Sequence, residues 1–314
     1  MCSACLPLQI LGGMFVFFKS AKYRKSFLKS LLFVLPGVII TLVFVIYPVI
    51  NTAWLSLNSW NGIGGSPIKW VGLQNYIKTL TSVKFWNSML NALYFVIGGF
   101  VILMPIAFGL ALLVTSKLKG TKFFKAAYLM PVMLGTTAVG LMWSFMLNAN
   151  FGVLAQFLKA IGHSEWIINW LATPTVNIWC VVLVNEWMYA GYNMLIFAAG
   201  IVAIPDDVHE AALLDGCTGI KKIIYIQLPL LMPTITINLF VSIAGAFKAF
   251  DIPLSLTSGG PANSTQTIAL NIYNDAFGSF KMGYGSAKSI ILFLLVGIIA
   301  LIQLKITRKR EVQM

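Results

Sequence analysis

The sequence PDDVHEAALLDGCTGIKKIIYIQLPLLMP, residues 205–233, decides the fold, because it places a dense group of acidic residues between two long apolar segments. Asp207 and Glu210 have the spacing of a capping box, in which each side chain satisfies a backbone donor at a helix start. Gly216 predicts the end of that helix, since glycine adopts the left-handed conformation without steric cost. The first half of the stretch is therefore predicted to be a short helix that ends at Gly216.

The second half of the stretch predicts another short helix. Thr218 has a side chain that can cap its start, and three isoleucines share one face, namely Ile220, Ile223 and Ile224. Pro229 is predicted to end the loop, because a helix that enters a membrane accepts proline in its first turn. The whole stretch therefore predicts a helix–glycine–helix elbow, with Ala211 and Ala212 where another protein can approach closely.

The composition predicts a membrane protein. Of the 314 residues, 59% are hydrophobic and only 10% are charged, which is too apolar for a soluble domain. A helix needs about 20 apolar residues to cross the hydrocarbon core. Six segments meet this requirement, at about residues 30–50, 88–115, 124–147, 176–200, 230–254 and 285–304. The fold class is therefore an all-α membrane protein with six transmembrane helices.

The formal net charge of +13 is concentrated in four groups of basic residues. The groups are Lys19, Lys22, Arg24, Lys25 and Lys29; Lys117, Lys119, Lys122 and Lys125; Lys221 and Lys222; and Lys305, Arg308, Lys309 and Arg310. With six spans all four groups lie on one side, which the positive-inside rule assigns to the cytoplasm. The charge therefore predicts topology, with both termini in the cytoplasm, and not nucleic-acid binding. Other lysines, among them Lys84 and Lys288, are scattered on the opposite side.

This topology predicts three regions. They are a cytoplasmic basic N-terminal segment at 1–29, a transmembrane domain at 30–304 with the elbow at 205–229, and a cytoplasmic basic tail at 305–314. The first 18 residues are apolar but too short to span a membrane, and Met14 is an alternative start to Met1.

The fourth span carries polar residues on one face, namely Glu186, Tyr189 and Asn193, which are three and four positions apart. A carboxylate at membrane depth costs about 2.5–3.5 kcal/mol on insertion scales, so we expect it to face the bundle interior or water. These residues are hypothesised to line a path for a hydroxylated solute. The alternative is that Glu186 pairs with a neighbouring subunit.

The fifth span continues the polar pattern with Asn238, Ser242 and Gly245 on one stripe. Lys248 and Asp251 follow at positions i and i+3. These side chains are also assigned to the solute path, and the alternative for Lys248 and Asp251 is an ion pair at a helix end.

Several kinds of site are absent from the sequence. No G-x-x-x-x-G-K-[ST] motif is present, so the chain has no Walker loop for a nucleotide phosphate. His163 and His209 have no metal-ligand spacing, and Cys2 and Cys5 form a lone C-x-x-C. We therefore predict no metal, no cofactor and no catalytic residue in this chain. The energy for transport has to come from another chain.

The elbow resembles the EAA loop of binding-protein-dependent ABC importer permeases. The resemblance is carried by Glu210, Ala211, Ala212, Asp215, Gly216, Leu228 and Pro229. It extends to residues 72–76 and 257–261, and it is greatest for the carbohydrate-type subfamily, which includes maltose, glycerol-phosphate and multiple-sugar permeases. Cys217 departs from the pattern, which usually has alanine there, and His209 stands where tyrosine is common.

The resemblance implies a type I importer permease in a bacterial plasma (inner) membrane, with the elbow as the coupling helix that docks on an ATPase. Its implied partners are a homologous second permease subunit, two cytoplasmic ATPase subunits that carry ATP and Mg, an extracytoplasmic solute-binding protein and membrane lipid. In this scheme Ala211 and Ala212 permit close approach, Glu210 and Asp215 offer charge, and Gly216 sets the bend. The implied solute is a carbohydrate or a polyol.

Two other functions are open to the sequence. One is a secondary transporter that works alone, although the two halves show no convincing repeat. The other is a membrane enzyme, because residues 206–210 read as D-D-x-x-E, a cluster that can hold magnesium and a diphosphate. Such an enzyme needs a second acidic cluster, and the remaining acids are solitary in sequence, namely Glu165, Glu186, Asp251, Asp275 and Glu311.

Overall fold

A computed structural model describes residues 32–116 and 118–309, which are mostly helical. The helices are α1 Leu32–Ser56, α2 Gln74–Leu80, α3 Val83–Thr115, α4 Thr121–Met133, α5 Thr136–Met146, α6 Val153–Ala160, α7 Val176–Val202, α8 Asp206–Leu214, α9 Gly219–Leu230, α10 Met232–Lys248, α11 Asp251–Thr257, α12 Ile268–Tyr273 and α13 Met282–Arg308. Strands β1 Asn58–Ser59 and β2 Lys69–Trp70 form one antiparallel pair. The chain divides after Trp54, and the two parts are described separately.

The first part is the helix α1 up to Trp54. It is long and apolar enough to cross a membrane. The helix continues through Pro36, and its irregularity is a π-helical turn at Leu42–Ile46. The basic segment at 1–29 lies outside the described residues.

The second part contains the remaining candidate spans. Helices α3 and α13 each suffice to cross a membrane, and so do three pairs of helices that are bent at a short break. The bends are 96° between α4 and α5, 72° between α7 and α8, and 73° between α9 and α10. The described residues therefore hold three to six spans, and the prediction of a helical membrane protein is confirmed.

Two predicted spans are not continuous helices. Residues 124–147 break at Leu134 and Gly135, whose backbones are extended. Pro131 precedes this break and has no N–H to continue the helical ladder. Residues 230–254 break again after Lys248, and α11 begins at Asp251.

One end of the bundle brings together the last turns of α3 and α7 and the start of α10. Their buried side chains form one apolar cluster, with Ala111, Phe197, Ile201 and Leu231 among its members. Near the C-terminal end of α13, the side-chain amide of Gln303 donates to the carbonyl of Thr236 in α10, at 3.2 Å. The basic residues after α3, in the elbow and at the end of α13 therefore all lie near this end of the bundle.

The other end is closed by the segment between α11 and α12, residues 258–267. Asn177 at the start of α7 donates to the hydroxyl of Ser264, at 2.6 Å, and Asn91 in α3 donates to the carbonyl of Gln266, at 3.1 Å. The hydroxyl of Thr267 donates to the carbonyl of Ala249, at 2.6 Å. That carbonyl is one of the backbone groups that lose their helical hydrogen bonds at the break after α10. These bonds fix the segment to α7, to α3 and to the break after α10.

Gly191 permits the closest approach between α4 and α7. A Cβ atom at this position would overlap the backbone carbonyl of Tyr128. Helices in membranes pack through such small residues because lipid provides no hydrophobic force between them. This contact holds the two helices that form one wall of the cavity described next.

Candidate functional site

A cavity of about 380 Å³ lies in the second part of the chain, between α7 and the break that separates α10 from α11. Its polar lining includes six of the seven residues that the sequence assigns to the solute path, namely Glu186, Tyr189, Asn193, Ser242, Lys248 and Asp251. Leu103 and Val132 contribute apolar wall from α3 and α4. A mixed surface of this kind suits a small polar ligand, because apolar faces enclose it and a few polar groups orient it.

The carboxylate of Glu186 lies deep in this cavity, with 4% of the residue exposed. Asn185 donates to its Oε1 atom at 3.4 Å, and no lysine, arginine or histidine among the described residues forms an ion pair with it. Gly98 packs closely against this part of α7, since a Cβ there would overlap the side chain of Val182 and touch that of Glu186. Glu186 is therefore a buried acceptor with unused capacity.

Asn193 offers a second unused acceptor on the same face of α7, two turns after Glu186. Its amide nitrogen donates to the carbonyl of Tyr189 at 3.0 Å, while its Oδ1 atom is buried without a partner in the described structure. Tyr189 is half-buried, and Tyr192 and Asn185 also line the cavity. The residues predicted from the sequence to line the solute path do not include Asn185 and Tyr192. Each of these two directly precedes a predicted path residue, Glu186 and Asn193 respectively, so the sequence could have indicated them.

Lys248 and Asp251 stand at the exposed rim of the cavity, on either side of the break between α10 and α11. The prediction that they share a helical face is wrong, because Lys248 ends one helix and Asp251 begins the next. The alternative of an ion pair is also wrong for the described side chains. Ala249 and Phe250, which are not helical, separate the two charges.

Asn238 is the predicted path residue that does not line the cavity. It is fully buried in α10, one turn before Ser242, and neither atom of its amide has a hydrogen-bond partner among the described residues. Burying an amide without partners costs about 1–3 kcal/mol by mutational measures. Asn238 continues the polar stripe of α10 toward the end where the basic groups lie.

A second polar cluster was not predicted. Asp275 was expected to be solitary, but its carboxylate accepts a hydrogen bond from the ammonium group of Lys288, a fully buried residue. The ammonium group of Lys84 lies 3.8 Å from the other carboxylate oxygen of Asp275. Lys288 also donates to Asn271, whose amide nitrogen donates to Ser88 at 3.1 Å. This cluster joins α3, α12 and α13. The sequence does not indicate this cluster, because its members are far apart in the chain.

The elbow forms the second candidate site. The N–H of Gly216 donates to the carbonyl of Leu213 at 3.1 Å, and the N–H of Cys217 donates to that of Ala212 at 2.8 Å, with Gly216 at a φ of +67°. This pair of bonds is a Schellman motif, so the predicted stop at Gly216 is confirmed.

Three details of the elbow differ from the sequence-based prediction. The capping box is absent, because α8 begins one residue after Pro205 and its first turn already contains Asp206 and Asp207. Carboxylates there are stabilised by the helix dipole instead. Thr218 occupies the N-cap of α9 without a side-chain cap bond. Helix α9 continues through Pro229, and Pro233 stands in the first turn of α10.

The exposed surface of the elbow is partly acidic and partly apolar. Glu210, Ala211, Asp215 and Gly216 are exposed, and Leu228 and Pro229 are half-buried. Ala212 is only 4% exposed, so it packs inside this chain and does not face a partner, contrary to prediction. Sequence reasoning missed the large exposed residues, of which Leu214 is 89% exposed, along with Leu213, Ile220 and Tyr225.

The described residues contain no group of three or more His, Cys, Asp or Glu side chains that could hold a metal ion. Asp206, Asp207 and Glu210 therefore have no facing acidic partner of the kind a diphosphate-binding enzyme requires.

The second part of the chain is thus an apolar bundle of bent helices with an acidic elbow and a polar cavity. The family model for the binding-protein-dependent transport system inner membrane component matches residues 123–312. The chain belongs to this family, which confirms the resemblance drawn from the elbow. Because this family consists of transport components, the alternative of a membrane enzyme is not supported.

Similar proteins extend the match over nearly the whole chain. The probable starch degradation products transport system permease protein AmyD of Thermoanaerobacterium thermosulfurigenes is 36% identical over 94% of this chain and 99% of its own. The trehalose/maltose transport system permease protein MalF of Thermococcus litoralis is 34% identical over 92% of this chain and 97% of its own.

The fold is also similar to that of a solved structure. One chain in the crystal structure of a bacterial alginate ABC transporter, in complex with an alginate pentasaccharide-bound periplasmic protein, superposes with a TM-score of 0.78. The match is 21% identical and covers 91% of this chain and 95% of that chain. At this identity the likeness concerns the fold.

Proposed function

We propose that this chain is a transmembrane permease subunit of an ATP-driven importer and that its solute is a carbohydrate or a polyol. The single observation that carries the proposal is the cavity, which gathers Glu186, Tyr189, Asn193 and Ser242 around one space. Amide, carboxylate and hydroxyl groups exchange hydrogen bonds with sugar hydroxyls, and tyrosines can stack on a sugar ring. The names of the two bacterial and archaeal relatives, which concern starch products, trehalose and maltose, support the same class of solute.

The elbow is proposed as the element that couples the bundle to an ATPase. Its exposed Glu210 and Asp215 would meet the rim of a docking cleft, and Ala211 would allow close approach. The exposed apolar residues Leu214 and Tyr225 would fill the cleft, since apolar anchors at the centre of an interface carry most of its binding free energy. Leu228 and Pro229 would join this rigid unit to α10, and Gly216 would set its angle.

This arrangement implies the remaining partners. A second, homologous permease would complete the path, two ATPase subunits would bind ATP and Mg, and a solute-binding protein would deliver the solute from outside. The chain itself would bind no cofactor. The solved relative, crystallised with a pentasaccharide-bound periplasmic protein, supports the last of these partners.

The proposed topology has six spans, with each bent pair counted as one. Three described basic groups lie near the end of the bundle where α3, α7 and α10 meet, namely Lys119, Lys122 and Lys125 at the start of α4, Lys221 and Lys222 in α9, and Lys305, Arg308 and Lys309 at the end of α13. The positive-inside rule would place this end, the elbow and both termini in the cytoplasm of a bacterium, with the bundle in its plasma membrane. The basic segment at 1–29, Lys117 and the second half of the tail, residues 310–314, lie outside the described residues.

Transport by the complete complex tests the function. The chain is reconstituted in vesicles with its partner permease, the ATPase subunits and the binding protein, and uptake is measured for a panel of radiolabelled neutral saccharides and polyols. We expect uptake of at least one of them that requires ATP on the ATPase side. Uptake by this chain alone, driven by an ion gradient, would identify a secondary transporter instead.

Two substitutions in the cavity sharpen the test. Asn193→Ala and Ser242→Ala should each lower ATP-driven uptake three- to tenfold, because a lost hydrogen bond is worth about 0.5–1.5 kcal/mol. Ser289→Ala is the matched control, since that hydroxyl lies in α13 and donates to the carbonyl of Gly285 at 3.0 Å. Equal losses in the control and the cavity variants would argue against a solute site here.

A further inference from the structure

The short helix α6, between α5 and α7, turns an apolar side away from the rest of the chain. Val153, Leu154 and Phe157 are exposed, and Phe157 retains 59% of its surface. These three side chains share one side of the helix, because positions i, i+1 and i+4 lie within about 100° of one another around its axis. Gln156 and Lys159 are also exposed, and Lys159 lies on the side opposite Phe157. The surface of α6 is therefore amphipathic.

A tight turn holds α6 against the end of α5. The N–H of Gly152 donates to the carbonyl of Asn148 at 2.8 Å, and a Cβ atom at Gly152 would overlap that carbonyl. Helices α5 and α6 are in contact, and Ala155 in α6 is fully buried. The position of α6 is thus set by the end of a candidate span and not by a long loop.

The apolar side of α6 continues the exposed apolar surface of α5. Phe145 in α5 and Phe151 just before α6 are both exposed, and their ring centroids lie 6.4 Å apart. Helix α5 belongs to a bent pair that is apolar enough to cross a membrane. An apolar surface therefore runs without interruption from the span through Phe151 to Val153.

The residues after α6 suit a membrane–water interface. Trp166 is exposed, and its ring stacks on that of His163 with centroids 4.3 Å apart. The Nδ1 atom of His163 lies 2.9 Å from the carboxylate of Glu165. Tryptophan is enriched at such interfaces because its ring is apolar and its N–H is polar. This region lies at the end of the bundle closed by residues 258–267, since Asn177 at the start of α7 bonds to that segment.

We propose that α6 lies flat in the lipid–water interface of the extracytoplasmic leaflet and binds its lipids. Val153, Leu154 and Phe157 enter the acyl boundary, and Gln156 and Lys159 face the headgroups and water. The continuous surface from α5 favours lipid as the occupant, since a soluble protein cannot follow a span into hydrocarbon. Because a tight turn joins α6 to α5, this contact also sets the depth of the end of α5. The inference goes beyond the proposed function, because it requires a bundle in a membrane and no particular solute.

Spin labels on the two sides of α6 test the proposal. Single cysteines are introduced into the chain without its native cysteines, and the labelled permease–ATPase complex is placed in vesicles of phosphatidylethanolamine and phosphatidylglycerol. Collisions with oxygen, which concentrates in hydrocarbon, and with a water-soluble nickel chelate are measured by electron paramagnetic resonance. For labels at Leu154→Cys and Phe157→Cys, we expect an oxygen-to-nickel collision ratio about fivefold or more above that at Lys159→Cys.

A charge substitution shows whether the apolar side holds the helix in lipid. Phe157→Glu should raise nickel collisions of the label at Leu154→Cys by about threefold or more, because a carboxylate is costly below the headgroups. Gln156→Glu is the matched control, since it adds the same charge outside the apolar side and should leave that label unchanged. All the substituted side chains are exposed, so none of the variants removes a core contact.

Two results would overturn the lipid contact. Nickel collisions at Leu154→Cys and Phe157→Cys equal to those at Lys159→Cys would place the whole helix in water. Labels on the apolar side that meet neither reagent would show that a protein, such as a second permease subunit, covers it. An equal response to Phe157→Glu and Gln156→Glu would contradict the assignment of sides. None of these outcomes concerns the carbohydrate, which the uptake assay tests separately.

Discussion

The ammonium group of Lys288 donates a hydrogen bond to the carboxylate of Asp275 inside the bundle, where Lys288 has no exposed surface. The pair joins the start of α13 to the turn that follows α12, and Asn271 completes the shell of the lysine. A buried pair is not by itself proof of added stability, because desolvation offsets much of the attraction. Removal of one partner, however, leaves the other charge buried.

Lys288→Met should therefore destabilise the protein by about 3–5 kcal/mol, the usual cost of an uncompensated buried charge. The measurement is the midpoint of thermal unfolding in detergent, together with the yield of folded protein in membranes. Lys84→Met is the matched control, since Lys84 lies 3.8 Å from the same carboxylate but is well exposed. It should cost about 1 kcal/mol or less. Equal stability of both variants would contradict a structural role for the buried pair.

Gly216→Val should uncouple the elbow from the bundle. At a φ of +67° a β-branched side chain strains the backbone by about 1–2 kcal/mol, so α9 would leave α8 at another angle. Insertion into the membrane should persist, because apolar burial far exceeds this strain. ATPase co-purification and solute uptake, each normalised to the permease in membranes, should fall. Cys217→Ala should change neither. Normal uptake at normal ATPase occupancy in Gly216→Val would show that the elbow does not transmit the movement of the ATPase to the bundle.

Cysteine labelling should place the two ends of the bundle on opposite sides. Lys221→Cys and Lys309→Cys should react with an impermeant maleimide only from the cytoplasm, because they belong to the basic groups. Ser66→Cys and Ser264→Cys should react only from outside. The four native cysteines, Cys2, Cys5, Cys180 and Cys217, are replaced first, so that each variant reports one position. Reaction of Lys221→Cys from outside would invert the topology and separate the elbow from any cytoplasmic ATPase.

Asn238→Leu should separate stability from transport. The amide of Asn238 is fully buried without partners, so an apolar replacement of similar size should raise the free energy of unfolding by about 1–3 kcal/mol. Uptake should fall at least tenfold if the stripe from Ser242 to Asn238 meets the solute in another conformation. Thr236→Val is the control, because its hydroxyl is satisfied within α10 by the carbonyl of Met232, at 2.9 Å. A stabilised variant with full uptake would remove Asn238 from the path.

Local chemistry explains which features could be predicted. The stop at Gly216 follows from one residue type and its backbone freedom, and the shared face of Glu186, Tyr189 and Asn193 follows from helical spacing. Both are properties of short segments. The capping box was the exception, since Pro205, Asp206 and Asp207 offer competing starts and the structure uses the earliest.

Features that depend on distant residues could not be predicted in the same way. The partnership of Asp275 and Lys288 requires the turn after α12 to fold back on α13. The burial of Ala212 depends on where the elbow packs. The break at Ala249 and Phe250 is stabilised by the hydroxyl of Thr267, which is 18 positions away in the chain. A single sequence gives no measure of such contacts.

The hydrogen bond from Thr267 to Ala249 has a mechanical consequence. It connects the mouth of the cavity to the segment 258–267, which other bonds anchor to α3 and α7. Straightening the break between α10 and α11 would pull the carbonyl of Ala249 away from that hydroxyl. The mouth of the cavity is therefore stiff unless Thr267 moves with it, and a load applied to this segment reaches the rim through the 2.6 Å bond as well as through α11.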